Sequence, residues 1–329
     1  MNYETKFYIG LDVHTKSTQY AVRTWQGDVI SEGKCATIYK DVKIILEPYF
    51  HSCIVGMEAC TSFYPLREGF IQDNVHVKIA NVLRIRQLIV KNDSLDARRL
   101  SDMLRLNTFP ESFIPSKEVQ VLRDLVSVRH SFLQELTATK SRIWATLTRH
   151  GIKIPERSIF SKKGMLHVKA VIETGKCSSD LKFLYEHYQN VKASLEKLTK
   201  ELTEYAGKYF SNEWKKLHEI DGIADIISAY IIANVHPVTR FANEKKLRRY
   251  AGVIPCIKES GGKFHGSMLP KFSSRALLRW ALTQAAHGAV KKKNSNLRLY
   301  YQSKNKNKHK AIMAVGISIC DLVYMKLRE

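Results

Sequence analysis

No two of the six cysteines (Cys35, Cys53, Cys60, Cys177, Cys256 and Cys320) stand in C-x-x-C spacing, and none falls at a zinc-ligand interval. This excludes a cysteine-rich metal module and a disulfide framework, and leaves small, mostly core-bound thiols of a reduced, intracellular protein. Also missing is any apolar run long enough to span a bilayer. The start, MNYETKFYIGLDV, lacks the basic-then-apolar plan of a secretion signal. The expectation is a cytoplasmic protein with no membrane partner. Acid is scarce: 31 Asp+Glu face 53 Lys+Arg, a net charge of +22. Solubility alone does not call for such an excess, whereas a polyanionic partner does, and nucleic acid is the commonest. From 291 to 310 there is no acid against eight Lys/Arg, with Tyr300 and Tyr301 interleaved. A basic run is ordinarily a solvated face, but aromatics within it point to phosphate contact. Lys291, Lys292, Lys293 and Arg298, with Lys263, Lys271 and Arg279 upstream, are the candidate nucleic-acid contacts.

What is present is enough for two or three domains: 329 residues, 44% of them hydrophobic. Residues 6–82 alternate strand-like runs (FYIGLDV, TQYAVRTW, DVISEGKCATI, CIVGMEAC, VHVKIANV) with helix-like ones at 41–50 and 61–73, the pattern of a mixed α/β sheet. Residues 83–106 read as helix, and the Pro110 to Pro115 segment reads as a domain boundary. A 4–3 spacing then runs through Leu122, Val126, Arg129, Leu133, Leu136, Lys140, Ile143 and Leu147. A second runs through Leu184, Tyr188, Val191, Leu195, Leu198, Leu202, Tyr205 and Tyr209. Such heptads predict a helical hairpin or coiled coil, with Arg129 and Lys140 interrupting its first seam. The basic stretch 151–180 gives no assignment. From 211 on the pattern is helical, with a loop expected at 255–273. The expected domains are therefore 1–110, 111–210 and 211–329.

Within the sheet pattern, Gly10-Leu11-Asp12 and Gly56-Met57-Glu58 each set a glycine two residues before a carboxylate. Alternation puts the glycine and the acid of each pair on one face of its strand. A buried carboxylate needs a cation against it, and the glycine makes room for a close approach. Asp93 and Asp96 follow at i, i+3. Alone they read as the capped start of a helix. With Asp12 and Glu58 they make a four-carboxylate set whose mutual repulsion calls for divalent metal, Mg²⁺ or Mn²⁺. Paired ions about 4 Å apart would suit phosphoryl transfer.

Two further motifs are weaker. Ser260-Gly261-Gly262-Lys263 offers a serine on a turn that a substrate backbone can reach, though it is also the composition of a plain surface turn. A serine without a base or metal is a poor nucleophile, and none is visible locally. Ile220-Asp221-Gly222-Ile223 resembles the turn of a helix-hairpin-helix, or a simple connection between helices.

In order, the chain carries G-L-D-V-H-T-K (10–16), G-M-E-A (56–59), K-N-D-S-L-D-A-R-R-L (91–100) and L-R-D-L-V-S-V-R-H (122–130). It continues with I-D-G-I (220–223), Y-A-G-V-I-P (250–255), S-G-G-K (260–263) and H-K-A-I-M-A-V (309–315). Over nearly its whole length it resembles the DEDD transposases of the IS-one-ten insertion-sequence family, which includes the IS-eleven-eleven branch. The resemblance implies an α/β RuvC-like, ribonuclease-H-type mixed sheet, then a long helical coiled-coil hairpin and a mainly α C-terminal domain. By matching, Asp12, Glu58, Asp93 and Asp96 would be the metal-binding acids and Ser260 the nucleophile. The implied activity is DNA strand cleavage and exchange through a covalent phosphoserine. The implied partners are donor and target DNA, a structured guide (bridge) RNA and further copies of the chain, in a dimer or tetramer. Glu259 stands where a second serine is frequent, which leaves Ser260 alone there. The N-terminal half by itself supports an alternative, a Holliday-junction-type endonuclease using metal-activated water. A non-catalytic nucleic-acid scaffold is a third reading, opposed by the complete acid set.

Overall fold

The computed structural model describes residues 5–82, 84–85, 93–155, 158–175, 179–254, 256–260, 263–268, 275–304 and 307–329, with backbone alone at 93–95, 256–260 and 263–268. The chain divides into two compact units, Met1–Ile114 and Pro115–Glu329.

The first unit is built on a five-stranded sheet of order β3-β2-β1-β4-β5: β1 (Phe7–Val13), β2 (Ser17–Thr24), β3 (Val29–Ala36), β4 (Cys53–Glu58) and β5 (His76–Ala80). The first three strands form an antiparallel meander, and β4 and β5 add in parallel to β1. Turn chemistry explains the first part. Gly27 takes φ +111° in the β2–β3 turn, and the His14 N–H bonds to the Ser17 carbonyl across the β1–β2 turn. The parallel strands are reached through helices Tyr39–Leu46 and Phe63–Gln72, as parallel pairing requires. Ile9, Leu11 and Val13 alternate onto one face, where they pack with Val22, Val55, Met57, Leu46, Leu66 and Phe70. The opposite face of β1 carries Gly10 and Asp12. Over it lies the helix Asp93–Arg105, whose Ala97, Leu100, Ser101 and Leu104 are buried.

The second unit is mainly helical. Helices Lys117–Arg149 and Ser179–Tyr209 run antiparallel, because contacts pair Glu118 with Tyr205, Arg129 with Thr199, Glu135 with His187 and Arg149 with Asp180. The two cations in the expected seam are accommodated differently. Arg129 is buried and donates from Nε to Thr199 Oγ1 (2.9 Å) and from a terminal nitrogen to the Tyr230 hydroxyl (3.2 Å). Lys140 sets its ammonium 5.4 Å from the centre of the Phe160 ring. Part of the unassigned 151–180 stretch is ordered as helix Lys162–Glu173, capped by Ser161 and packed through Met165 and Val168 against Leu147, Leu181 and Tyr188.

Helix Asp225–Val235 is buried on every side from Ser228 to Val235, as expected of a helix that is apolar all round. Helices Ser211–His218 and Ala276–Lys291 pack against it, together with one end of the long pair, and Lys308–Arg328 packs on both of those helices within the same core. The loop expected at 255–273 is corrected at 256–260 and 263–268. Strands β6 (Cys256–Ser260) and β7 (Lys263–Met268) pair antiparallel there. No helix among the described residues is long and apolar enough to cross a membrane.

Candidate acidic site and the serine hairpin

β1 and β4 run parallel with Gly10 level with Gly56 and Leu11 level with Met57. Asp12 and Glu58 therefore follow on the next rung, at the C-terminal ends of neighbouring central strands and on the face of the two glycines. A third group reports on both acids. Burial pushes the Cys60 thiol above its ordinary value, opposed by N–H donation from Ser62 and Phe63, and the carboxylates of Asp12 and Glu58 both push it further up. Asp12 is only 8% exposed. The imidazole Nε2 of His14, two residues on, lies 3.0 Å from its Oδ2.

The glycines seat the helix Asp93–Arg105. A Cβ on Gly10 would lie 2.0 Å from the Ala97 carbonyl oxygen and 2.6 Å from the Ser101 nitrogen, so backbone rests on backbone. On Gly56 it would meet the ends of the Phe109 and Leu104 side chains at 2.7 and 2.8 Å. The helix direction follows from its partners. Arg105 lies against Gly27 in the β2–β3 turn, and Asp102 lies 3.8 Å from Arg23, which pairs with Tyr8. Both contacts are at the N-terminal end of β1, so the helix N-terminus points to the Asp12 end. From 97 back to 93 the helix advances about 6 Å, and from Gly10 to Asp12 the strand advances about 7 Å. The first helical turn, with backbone positions 93 and 96, thus arrives level with Asp12. Asp96 Oδ1 lies 3.6 Å from Arg99. The Asp93 side chain lies outside the described residues.

The structure therefore brings Asp12 and Glu58 together and carries the backbone of the other two acids to their level. Among the described residues, no three His, Cys, Asp or Glu side chains are arranged to hold an ion. The residues nevertheless fit a hard cation, since Asp12, buried, and Glu58 stand level on neighbouring strands and offer the oxygen donors that Mg²⁺ and Mn²⁺ take. His14 was not singled out from the sequence as a site residue. Its signal was there, because Asp12-Val13-His14 puts both side chains on one face of an extended chain.

In the second unit, Ser260 pairs with Lys263 across the β6–β7 hairpin, at the end where only Gly261 and Gly262 intervene. Among the other candidates, Lys271 lies outside the described residues. Arg279, on helix Ala276–Lys291, donates to the Gly252 carbonyl at 3.4 Å. Lys291 and Lys293 are exposed at the end of that helix, and Arg298 is half-buried on helix Asn296–Ser303. Lys292 is ion-paired with Asp221 at 2.5 Å. The Asp221-Gly222 turn joins helices Ser211–His218 and Asp225–Val235. Gly222 takes φ +88°, and a Cβ there would lie 2.1 Å from the Ala285 carbonyl. Its bare side thus faces the protein, which makes this a packed connection between helices.

No curated protein matches the chain. Two family models do. One, for DEDD transposases of the IS110 type, matches residues 9–152, the stretch that holds Asp12, Glu58, Asp93 and Asp96. The other, described as the transposase IS116/IS110/IS902 family, matches residues 215–302 and includes Ser260. With the acidic half and the serine half each matched in its place, the chain belongs to the IS110 family of transposases.

Proposed function

We propose that this transposase cuts and exchanges DNA strands through a covalent phosphoserine, with Ser260 as nucleophile and with Asp12, Glu58, Asp93 and Asp96 holding Mg²⁺ or Mn²⁺. The observation that carries this reading is the Asp12–Glu58 pair on adjacent parallel strands, with a helix seated so that its first turn reaches the same level. Oxygen-only ligands suit these hard cations. A bound ion would polarise the phosphoryl oxygens and ease departure of the leaving oxygen. The Ser260 hydroxyl attacks the phosphorus of a phosphodiester. An Oγ–P bond forms, the P–O bond to one deoxyribose breaks, and the serine proton is lost as the leaving oxygen gains one to become a hydroxyl. A hydroxyl from a second duplex then reverses the exchange, so one phosphoester bond replaces another without a high-energy donor.

The remaining partners of the reading are a structured bridge RNA, which would choose the DNA, and further copies of the chain in a dimer or tetramer, with acids and serine contributed by different copies. The net charge of +22 suits two polyanions held mostly through phosphates.

The test is incubation of the full chain and co-expressed element RNA with the element's end DNA, followed by mass spectrometry of DNA-linked peptides. A linked peptide containing Ser260, absent from Ser260→Ala, is the expected result. Hydrolytic cleavage that survives Ser260→Ala would instead establish a junction-type nuclease using water. Full activity in Asp12→Asn would overturn the metal site.

A further inference from the structure

Across the sheet, the rung that holds Asp12 continues outward through residues the catalytic reading does not use. Asp12 pairs with Gln19 on β2, and Gln19 pairs with Lys34 on β3. Residues level with one another share a face, so Gln19 and Lys34 lie on the Asp12 face, with Lys34 about 10 Å from Asp12, two strand spacings away. The preceding rung runs Gly10, Ala21, Glu32. Here the Arg98 guanidinium grips Glu32 through both carboxylate oxygens, joining the helix Asp93–Arg105 to the edge strand. Between helix and sheet edge is a cavity of about 490 Å³ lined by Gln19, Glu32, Lys34, Ala97 and Arg98, among others. Glu32 is neutralised within it, whereas Lys34 is exposed and makes no ion pair among the described residues.

We infer that this cavity is a binding groove for the DNA strand beside the cleaved phosphodiester, with Lys34 meeting a backbone phosphate and Gln19 donating to a phosphate or sugar oxygen between it and Asp12. The inference rests on the acidic site being the place of cleavage. The chemistry is that of positioning contacts: a lysine as point charge, and a neutral amide next to the acids, where a second cation would compete for their negative charge. An edge strand adds a reason. Among the described residues no strand pairs with the outer edge of β3, so a strand of DNA can leave the groove there.

The experiment measures equilibrium binding of a fluorescein-labelled element-end duplex to the full chain, by anisotropy over a range of salt, in an Asp12→Asn background so that cleavage does not intervene. Lys34→Ala is expected to weaken binding about 3- to 10-fold at low salt and to reduce the slope of log affinity against log salt by about one. Lys34→Arg should restore both. Lys40→Ala removes an exposed lysine from the helix Tyr39–Leu46, which packs on the opposite face, and should leave the slope unchanged. Equal slopes for Lys34→Ala and its parent, or equal losses from Lys34→Ala and Lys40→Ala, would overturn the groove. Cleavage by Asp12→Asn would instead strike at the proposed function, so the two failures are told apart.

Discussion

At Gly10 a methyl group would come within 2.0 Å of a main-chain oxygen, whereas at Gly56 it would meet the ends of two side chains that can turn aside. The two glycines look alike in sequence but differ in what they support. Gly10→Ala is expected to lower stability by about 1–3 kcal/mol, as overpacking does, and to abolish cleavage by lifting the helix Asp93–Arg105 away from Asp12. Gly56→Ala should cost less and leave measurable activity. Urea midpoints of the two variants, read beside cleavage rates, check this order. Asp221 offers a pH test. Hydrogen bonds from Lys292 and then Ser295 hold its carboxyl below the usual carboxylate range. A lowered folded-state value contributes stability above the unfolded value, about 3.9, and loses it as pH falls through the folded one. Asp221→Asn should therefore melt below the parent at neutral pH, and the two melting temperatures should converge in acid.

Among the elements, the long antiparallel pair turns on Arg129, whose guanidinium reaches both the second helix and Tyr230 of the central buried helix. Arg129→Ala removes the charged donor from the buried Tyr230 hydroxyl and the half-buried Thr199 hydroxyl and is expected to cost about 2–3 kcal/mol in chemical denaturation. Lys140→Ala, which removes only an ammonium from beside a ring, should cost about 0.5–1 kcal/mol. Much of this was legible in the sequence. The strands β1 to β5 announced themselves because alternation is a local property, and Gly-x-Asp and Gly-x-Glu marked the face where the helix rests. The heptads marked the two long helices, although they gave no reason for Arg129, whose partner Tyr230 is a hundred residues away. The β6–β7 hairpin was missed because Cys-Ile-Lys-Glu-Ser carries no alternating apolar face and the alternation of Lys-Phe-His-Gly-Ser-Met is broken by Gly266 between Phe264 and Met268. The helix Lys162–Glu173 was hidden behind its Lys-Lys-Gly opening. Ser161 before it, and Met165 and Val168 three apart, were the signs that would have revealed it.

For the whole molecule, the buried clusters among the described residues each lie on one side of the Ile114–Pro115 division. A fragment of residues 115–329 is therefore expected to keep its helical circular dichroism and to melt cooperatively without the first unit. A broad, non-cooperative melt would show that the two units complete each other's core. The seating of the Asp93–Arg105 helix on Gly10 also has an evolutionary side. The closest approach between β1 and that helix is main chain on main chain at Gly10, so the spacing there does not depend on the side chains at Gln19 and Lys34. On the proposed reading, replacements at Gln19 and Lys34 would tune how tightly a nucleic-acid strand is held while the acids stay aligned, and it is along that margin that variants with altered salt tolerance should be sought.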